Sequence, residues 1–192
     1  MDPSRERDLR LARRARDGDL DAFNQLVEIH QDHLLALSTR LTGDIEAAHD
    51  AVQEAFIRAY RNIGTFHGES FRAWLIRIAV NTSTDVLRLR KRRPSEPYPE
   101  REGEQWEPGD VTAPDPEREA IRRAQSRVLS AALGALTDGQ RAAIVLYDVE
   151  GFDYPEIARL TGVSLGTVKS RIHRGRLALR ALLEESMELF RD

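Results

Sequence analysis

Apolar side chains recur three and four positions apart along most of this chain and almost never alternate with polar ones, so the pattern predicts helices and no sheet. Leu9 to Arg16 reads as a first short helix, closed by Asp17-Gly18. Asp19 then caps a longer helix whose stripe is Leu20, Phe23, Leu26, Val27, Leu34, Leu37 and Leu41. His30 and His33 lie beside that stripe and read as surface or boundary histidines. After Thr42-Gly43-Asp44 a third stripe runs through Ala48, Ala51, Val52, Ala55, Phe56, Ala59, Tyr60 and Ile63. Its alanines allow close helix approach. The opposite face carries Asp50, Gln53, Glu54, Ile57, Arg58 and Arg61. Gly64 to Ser70 is a loop with Phe66 and His67 near its centre, where Phe66 either stacks on an unpaired base or anchors the loop to the core. A fourth helix, opened by Glu69 or Ser70 and running to about Arg92, places Phe71, Trp74, Leu75, Ile78, Ala79, Thr82, Val86 and Leu89 on one face.

The pattern stops at Pro94. From Pro94 to Pro116 there are six prolines, and seven acids stand against Arg101 alone. Such a segment buries too little apolar surface to fold and reads as a linker. Trp106 is the one residue a plain tether does not need. Periodicity resumes at Asp115-Pro116-Glu117, with Ile121, Ala124, Val128, Leu129, Ala132, Leu133 and Leu136 as the core face. Thr137 and Gln140 form a capping box, and Ala143, Ile144, Leu146 and Tyr147 carry the next helix to Gly151. The expected architecture is all-α. Two small helical domains, a bundle over 1–93 and a helix-turn-helix domain over 117–192, flank the acidic proline-rich linker 94–116.

Tyr154 to Arg176 is the most informative stretch. Asp153 and Glu156 make a capping box before Ile157, Ala158 and Leu160. Gly162 can take the left-handed conformation that a sharp helix-to-helix turn needs. Ser164 then caps a second helix with Leu165, Val168 and Ile172 inward. Thr167, Lys169, Ser170, Arg171, His173 and Arg174 face outward. From Tyr154 to Arg180 six basic residues face Glu156 alone, in a chain of formal net charge −3. A solvated basic helix would also carry such charge. Combined with the turn glycine and paired caps, the pattern favours a helix-turn-helix with donors aimed at a DNA major groove. The earlier run Arg88, Arg90, Lys91, Arg92 and Arg93 exceeds what a helix C-terminus needs and suits phosphates.

Composition removes other classes. The 192 residues are 41% hydrophobic and 32% charged, with mean hydropathy −0.50 and no cysteine. Disulfides, thiolate metal sites and thiol redox chemistry within this chain are therefore excluded. The first residues lack the apolar core of a signal peptide, and no apolar run approaches the ~20 residues that span a bilayer. A cytoplasmic protein is expected. No glycine-rich phosphate loop, nucleophile elbow or zinc signature is present, so neither an enzyme nor a cofactor or metal site is expected.

These residues carry a resemblance. Ala15-Arg16-Asp17-Gly18-Asp19 with Ala22-Phe23, then Asp50 to Arg61, then Trp74 to Asn81 with Asp85 to Arg88, then Gly166 to Arg174 follow one another in a known order. In that order they resemble the extracytoplasmic-function (ECF) group of sigma-70 factors of bacterial RNA polymerase. The resemblance covers nearly all of the chain except the linker. It implies a transcription initiation factor that binds core polymerase, at the clamp helices of the largest subunit and at the flap, and directs it to promoter DNA. An anti-sigma factor is the further partner it implies. Under this resemblance Asp50, Gln53, Glu54 and Ile57 face polymerase. Arg58, Arg61, Phe66, His67, Arg77, Asn81 and Arg88 meet the −10 strand, with Phe66 stacking on a base. Ser164, Thr167, Lys169, Ser170, Arg171, His173 and Arg174 lie at the −35 groove.

The chain departs from the family pattern twice. Similar chains often have one residue more than Gly68-Glu69-Ser70-Phe71 in the base-capturing loop, and a larger apolar aromatic where His173 stands. Two rival readings remain at this level: a stand-alone dimeric helix-turn-helix regulator, which has no use for the Asp50–Arg61 face, and a helical adaptor without a DNA role.

Overall fold

The computed structural model describes residues 3–68, 70–92, 116–184 and 186. Glu69 and the linker ahead of Pro116, Trp106 included, lie outside the described residues. The chain divides into two compact units, Met1–Glu102 and Gly103–Asp192. Among the described residues every regular element is helical.

The first unit contains α1 (Pro3–Arg16), α2 (Leu20–Thr42), α3 (Ile45–Arg61), a 3-10 turn (Ile63–Thr65) and α4 (Phe71–Arg92). Side-chain caps set the starts. Asp19 accepts from Ala22 N–H at 3.0 Å, Asp44 from Ala47 N–H at 2.6 Å, and Ser70 Oγ from Ala73 N–H at 3.2 Å. The Ala22 N–H, and after it Arg14, hold the Asp19 carboxyl below its ordinary range. The helices then close on one another through small side chains. Ala47, Ala48, Ala51, Ala55 and Ala59 of α3 are wholly buried, and α2 and α4 both pack against this helix.

Three expectations fail here for physical reasons. First, α1 begins at Pro3 rather than Leu9. Its early turns are anchored by a polar contact that hydrophobic spacing cannot register: Asp8 Oδ2 is 2.9 Å from His30 Nε2, and both side chains are buried. His30 is therefore no boundary histidine. Burial pushes its imidazole below the ordinary value, against the opposing pull of the Asp8 carboxylate. Asp8 Oδ1 is buried without a hydrogen bond, with Arg7 Nη2 3.7 Å away.

Second, the buried stripe of α4 is rotated. Phe71, Leu75, Ile76, Ala79, Val80, Thr82 and Ser83 point inward, in place of the stripe through Trp74, Ile78, Val86 and Leu89. Hydroxyls make this possible. Thr82 Oγ1 donates to the Ala79 carbonyl at 3.0 Å, and Ser83 Oγ meets Ser38 Oγ at 3.3 Å, so both are buried at little cost. The rotation leaves Trp74 and Ile78 half-buried at the surface. Third, Leu20, Tyr60 and Leu89 are exposed rather than core.

The second unit contains α5 (Pro116–Ala135), α6 (Asp138–Ile144), a π-helical turn (Val145–Val149), α7 (Tyr154–Thr161) and α8 (Leu165–Leu183). Both expected capping boxes form, at Thr137/Gln140 and Asp153/Glu156. Ala132 and Leu133 of α5 and Leu136 just beyond it are buried, whereas Ile121 and Leu129 are exposed. The end of α5 is closed by a buried arginine. Arg141 donates from Nε to the Leu133 carbonyl and from Nη2 to the Gly134 carbonyl, each at 2.8 Å, and from Nη2 to Leu136 O at 3.2 Å. These are carbonyls that a helix end otherwise leaves without partners. The remaining core is Ala143, Ile144, Val145, Leu146, Phe152, Ile157, Val168 and Ile172.

Candidate nucleic-acid interfaces

In the first unit the rotated α4 and the C-terminal turn of α3 enclose a groove of about 280 Å³. Arg58, Asn62, Thr65, Trp74, Arg77, Ile78 and Asn81 line it. Three residues expected at the −10 strand, Arg58, Arg77 and Asn81, are thus brought together. Arg77 and Asn81 share one face of α4, four positions apart.

The groove wall is built on aromatic packing. Phe66 and Phe71 meet edge to face at 5.6 Å, and the Trp74 ring lies 5.4 Å from Phe66 and 5.5 Å from Phe71. Phe66 is only 6% exposed, and of its two readings this matches the loop anchor: its ring packs against Phe71 and Trp74. Trp74 is the groove's aromatic residue. Sequence reasoning placed it on the core stripe because its spacing fits, and only the rotation of α4 shows otherwise. Asn62 and Thr65 were also missed. They belong to the short turn after α3, where Asn62 Nδ2 donates to the Arg58 carbonyl and Thr65 Oγ1 to the Asn62 carbonyl, both at 2.8 Å.

The charges around the groove are not bare. Arg58 Nε donates to Glu54 Oε1 at 2.6 Å and Nη1 to Asp85 Oδ2 at 3.0 Å. The Glu54 bond, then the Asp85 bond, raise the Arg58 guanidinium above its ordinary value and keep it charged. Arg88 Nη1 lies 4.0 Å from Asp85 Oδ1, and Arg90 Nη1 lies 3.0 Å from Asp44 Oδ1. Arg61, His67 and Arg88 are exposed and do not line the groove. Asp50, Gln53, Glu54 and Ile57 occupy one face of α3 at helical spacing, with Asp50 and Gln53 exposed and Ile57 38% exposed. Glu54 is half-buried because it holds Arg58.

In the second unit α7 and α8 meet at Gly162, which adopts φ 68° and accepts the sharp turn at no steric cost. Ser164 caps α8. Its Oγ accepts from Thr167 N–H at 3.2 Å and lies 2.8 Å from Thr167 Oγ1. Val168, Ile172 and Gly175 seat α8 against the core. Gly175 is needed for this approach, since a Cβ there would stand 2.9 Å from Ile144 Cγ1. Leu165, expected inward, is 42% exposed, because the seam follows Val168, Ile172 and Gly175 instead. Lys169, His173 and Arg174 are exposed on the outer face, and Thr167 and Ser170 are half-buried beside them. Arg171 is the exception among the expected readers: its guanidinium lies against the backbone of Gly139, near the start of α6.

Behind that face, Arg176 ties α8 to the π-helical turn. It pairs with Asp148, with Nε 3.3 Å from Oδ2, and sits 5.0 Å over the Tyr147 ring. Tyr147 in turn packs on Tyr154 at 4.9 Å. Sequence reasoning counted Arg176 only in the basic charge of this stretch; the structure leaves it exposed and pairs it with Asp148.

Two compact helical units, one with a cation- and amide-lined groove and one with a basic helix-turn-helix, define a nucleic-acid-binding protein of two modules. The comparisons make this specific. Residues 26–93 match the model of sigma-70 region 2, and residues 126–179 match that of sigma-70 region 4. The RNA polymerase sigma-H factor of Pseudomonas aeruginosa is 37% identical over 185 residues, covering 94% of this chain and 96% of that one. The ECF RNA polymerase sigma factor SigW of Bacillus subtilis is 36% identical over 180 residues, covering 90% and 95%. The solved structure of the sigma factor RpoE in complex with the anti-sigma factor NepR, from Bartonella quintana, superposes with a TM-score of 0.63 at 27% identity, covering 84% and 96%. The chain belongs to the ECF group of the sigma-70 family, and it is a transcription initiation factor that directs RNA polymerase to promoters. Among the described residues no helix is long and apolar enough to cross a membrane.

Proposed function

We propose that the two units divide promoter recognition between them. Residues 1–93 act as the polymerase- and −10-binding domain, 94–116 as a tether and 117–192 as the −35-binding domain. The observation that carries this reading is the groove that gathers Arg58, Arg77 and Asn81 beside Trp74. An amide reads base edges, guanidinium groups take phosphate or guanine, and an accessible indole stacks on an unpaired base. Such a site suits a melted strand. Arg61, His67 and Arg88 extend the same surface toward the backbone.

Lys169, Ser170, His173 and Arg174 enter the −35 major groove, with Ser164 and Thr167 at the helix N-terminus near phosphates. Arg171 supports the helix from the side. Asp50, Gln53, Glu54 and Ile57 dock on the clamp helices of polymerase, and the second unit meets the flap. The chain acts in the cytoplasm, performs no bond chemistry and needs no cofactor. It is held in check by an anti-sigma factor, as the complex of its structural neighbour with NepR suggests.

Run-off transcription with core polymerase across a panel of promoters tests this. Initiation is expected only with the added protein and only where both elements match. Tight binding to a palindromic operator without polymerase, together with no initiation on any promoter, would sink the proposal.

A further inference from the structure

Asp85 stands one helical turn beyond Asn81 on α4, four positions along the same face. It meets two of the cations assigned above to the −10 strand. Its Oδ2 accepts from Arg58 Nη1 at 3.0 Å, and its Oδ1 lies 4.0 Å from Arg88 Nη1. Two anionic oxygens set between two guanidinium groups, one hydrogen-bonded and one at ion-pair distance, are also what a tetrahedral phosphate presents to a pair of arginines. The pair is also loose enough to exchange. The Arg58 and Asp85 side chains are 41% and 50% exposed, and ion pairs in such surroundings are weak and screened by salt. Arg58 has a second anchor in Glu54, Nε to Oε1 at 2.6 Å. Releasing Asp85 therefore leaves Arg58 on the groove wall with its Nη1 available.

We propose that Asp85 is an internal competitor for the nucleic-acid backbone. In the DNA-free chain it occupies the place between Arg58 and Arg88 that a single-strand phosphate takes in the complex. This inference rests on the assignment of the groove to the −10 strand. Its consequence is a higher threshold for binding. Any incoming strand must displace the carboxylate before it gains Arg58, so binding to arbitrary single strands is weakened. The cost is common to all sequences, and only a strand that also satisfies Asn81 and Trp74 has enough further contacts to stay bound in spite of it.

The test uses the full-length chain and a short, labelled, mixed-sequence single-stranded DNA, with anisotropy read across a salt series. Asp85→Asn is expected to bind about 2- to 5-fold more tightly than the parent. Its log–log salt slope should steepen by about 0.7, as one more phosphate is neutralised. Glu46→Gln is the charge control. It removes the same charge at the far end of α3, roughly 18 Å from position 58 at ~1.5 Å per residue, and should change affinity by less than about twofold. In an Arg58→Ala background the Asp85→Asn gain should vanish. Unchanged or weaker binding by Asp85→Asn would make Asp85 a brace that positions Arg58, and overturn the proposal. So would an equal gain from Glu46→Gln. Run-off transcription by Arg58→Ala separates the layers. A loss of initiation upholds the groove assignment whatever Asp85→Asn does, whereas undiminished initiation removes Arg58 from the −10 site itself.

Discussion

Arg58, Arg88 and Arg90 of the first unit each have a carboxylate within 4.0 Å, whereas the described ion pairs of α8 fall on Arg176 and Arg180 rather than on Lys169, His173 or Arg174. The two surfaces therefore present charge differently. In the groove, Arg58 is positioned by Glu54 and Asp85 beside a wall of interlocked aromatic rings, so this cation has a competitor for its ligand. On α8, position comes from the seating of the whole helix. The exposed side chains are left to the solvent and to the major groove. A groove cation that is already paired suits a strand that must make several contacts at once, because a lone phosphate gains little by displacing the carboxylate. An unpaired basic helix suits a duplex already in shape, where attraction to phosphate speeds encounter.

The comparison breaks most readily at the aromatic wall. Phe71 is 1% exposed and touches His30, Phe66 and Trp74. Phe71→Ala is expected to destabilise the first unit by about 3–5 kcal/mol, read as a lower urea midpoint, and to release Trp74 with an altered fluorescence maximum. A loss below about 1 kcal/mol would mean that the groove is not built on this cluster. The neighbouring Asp8–His30 pair makes the same wall sensitive to acid. Burial lowers the His30 value in the folded state below that of the unfolded chain, so folding favours the neutral ring. The stabilisation is full above the unfolded value of about 6.5 and is lost as pH falls through the lower folded value. Urea midpoints should fall between pH 7.5 and pH 5.5, and His30→Gln should flatten that dependence. A midpoint that rises on acidification would show instead that His30 is charged against Asp8.

Much of this was legible in the sequence, and the failures share a cause. Caps at Asp19, Asp44, Thr137, Asp153 and Ser164, and the turn at Gly162, rest on local chemistry and came out as read. The misreadings arose where a helix carries more apolar residues than one face can bury. On α4 the buried face takes Ile76, Val80 and Ser83 rather than Trp74, Ile78 and Val86, and Ser83 meets a hydroxyl partner, Ser38, on another helix. Periodicity contains no trace of that partner. The same blindness hid the Asp8–His30 contact, the Arg141 clamp on α5 and the Asp85 bridge, since each joins residues on different elements. Phe66 had two readings, a loop anchor or a stacking residue, and two aromatic neighbours on α4 draw the ring inward as an anchor.

The seating of α8 gives the next effect in size. Gly175→Ala puts a methyl about where Ile144 Cγ1 stands 2.9 Å away, and α6 and α8 must part or Ile144 must turn. A loss of about 1–3 kcal/mol in stability is expected, with weaker −35 duplex binding and no change in single-strand binding by the first unit. If single-strand binding falls equally, the two surfaces are not independent and the contrast between them is lost.

The smallest effect distinguishes two jobs for one hydroxyl. Ser164 caps α8 through the Thr167 N–H and is also exposed at the helix N-terminus, where a phosphate would approach. Ser164→Ala should cost about 1 kcal/mol in stability whichever job matters. Ser164→Asp separates them. Aspartate caps as well as serine and favours the helix dipole, so stability should be kept or slightly raised. Its charge would repel a phosphate. If capping is the whole role, Ser164→Asp binds −35 duplex like the parent while Ser164→Ala is the weaker of the two. If the hydroxyl faces the backbone, the order reverses, with Ser164→Asp losing more than Ser164→Ala and the gap narrowing as salt is added. The second order is expected, because Ser164 is exposed at the N-terminus of the helix whose Lys169 and Arg174 are left open to solvent for the same ligand.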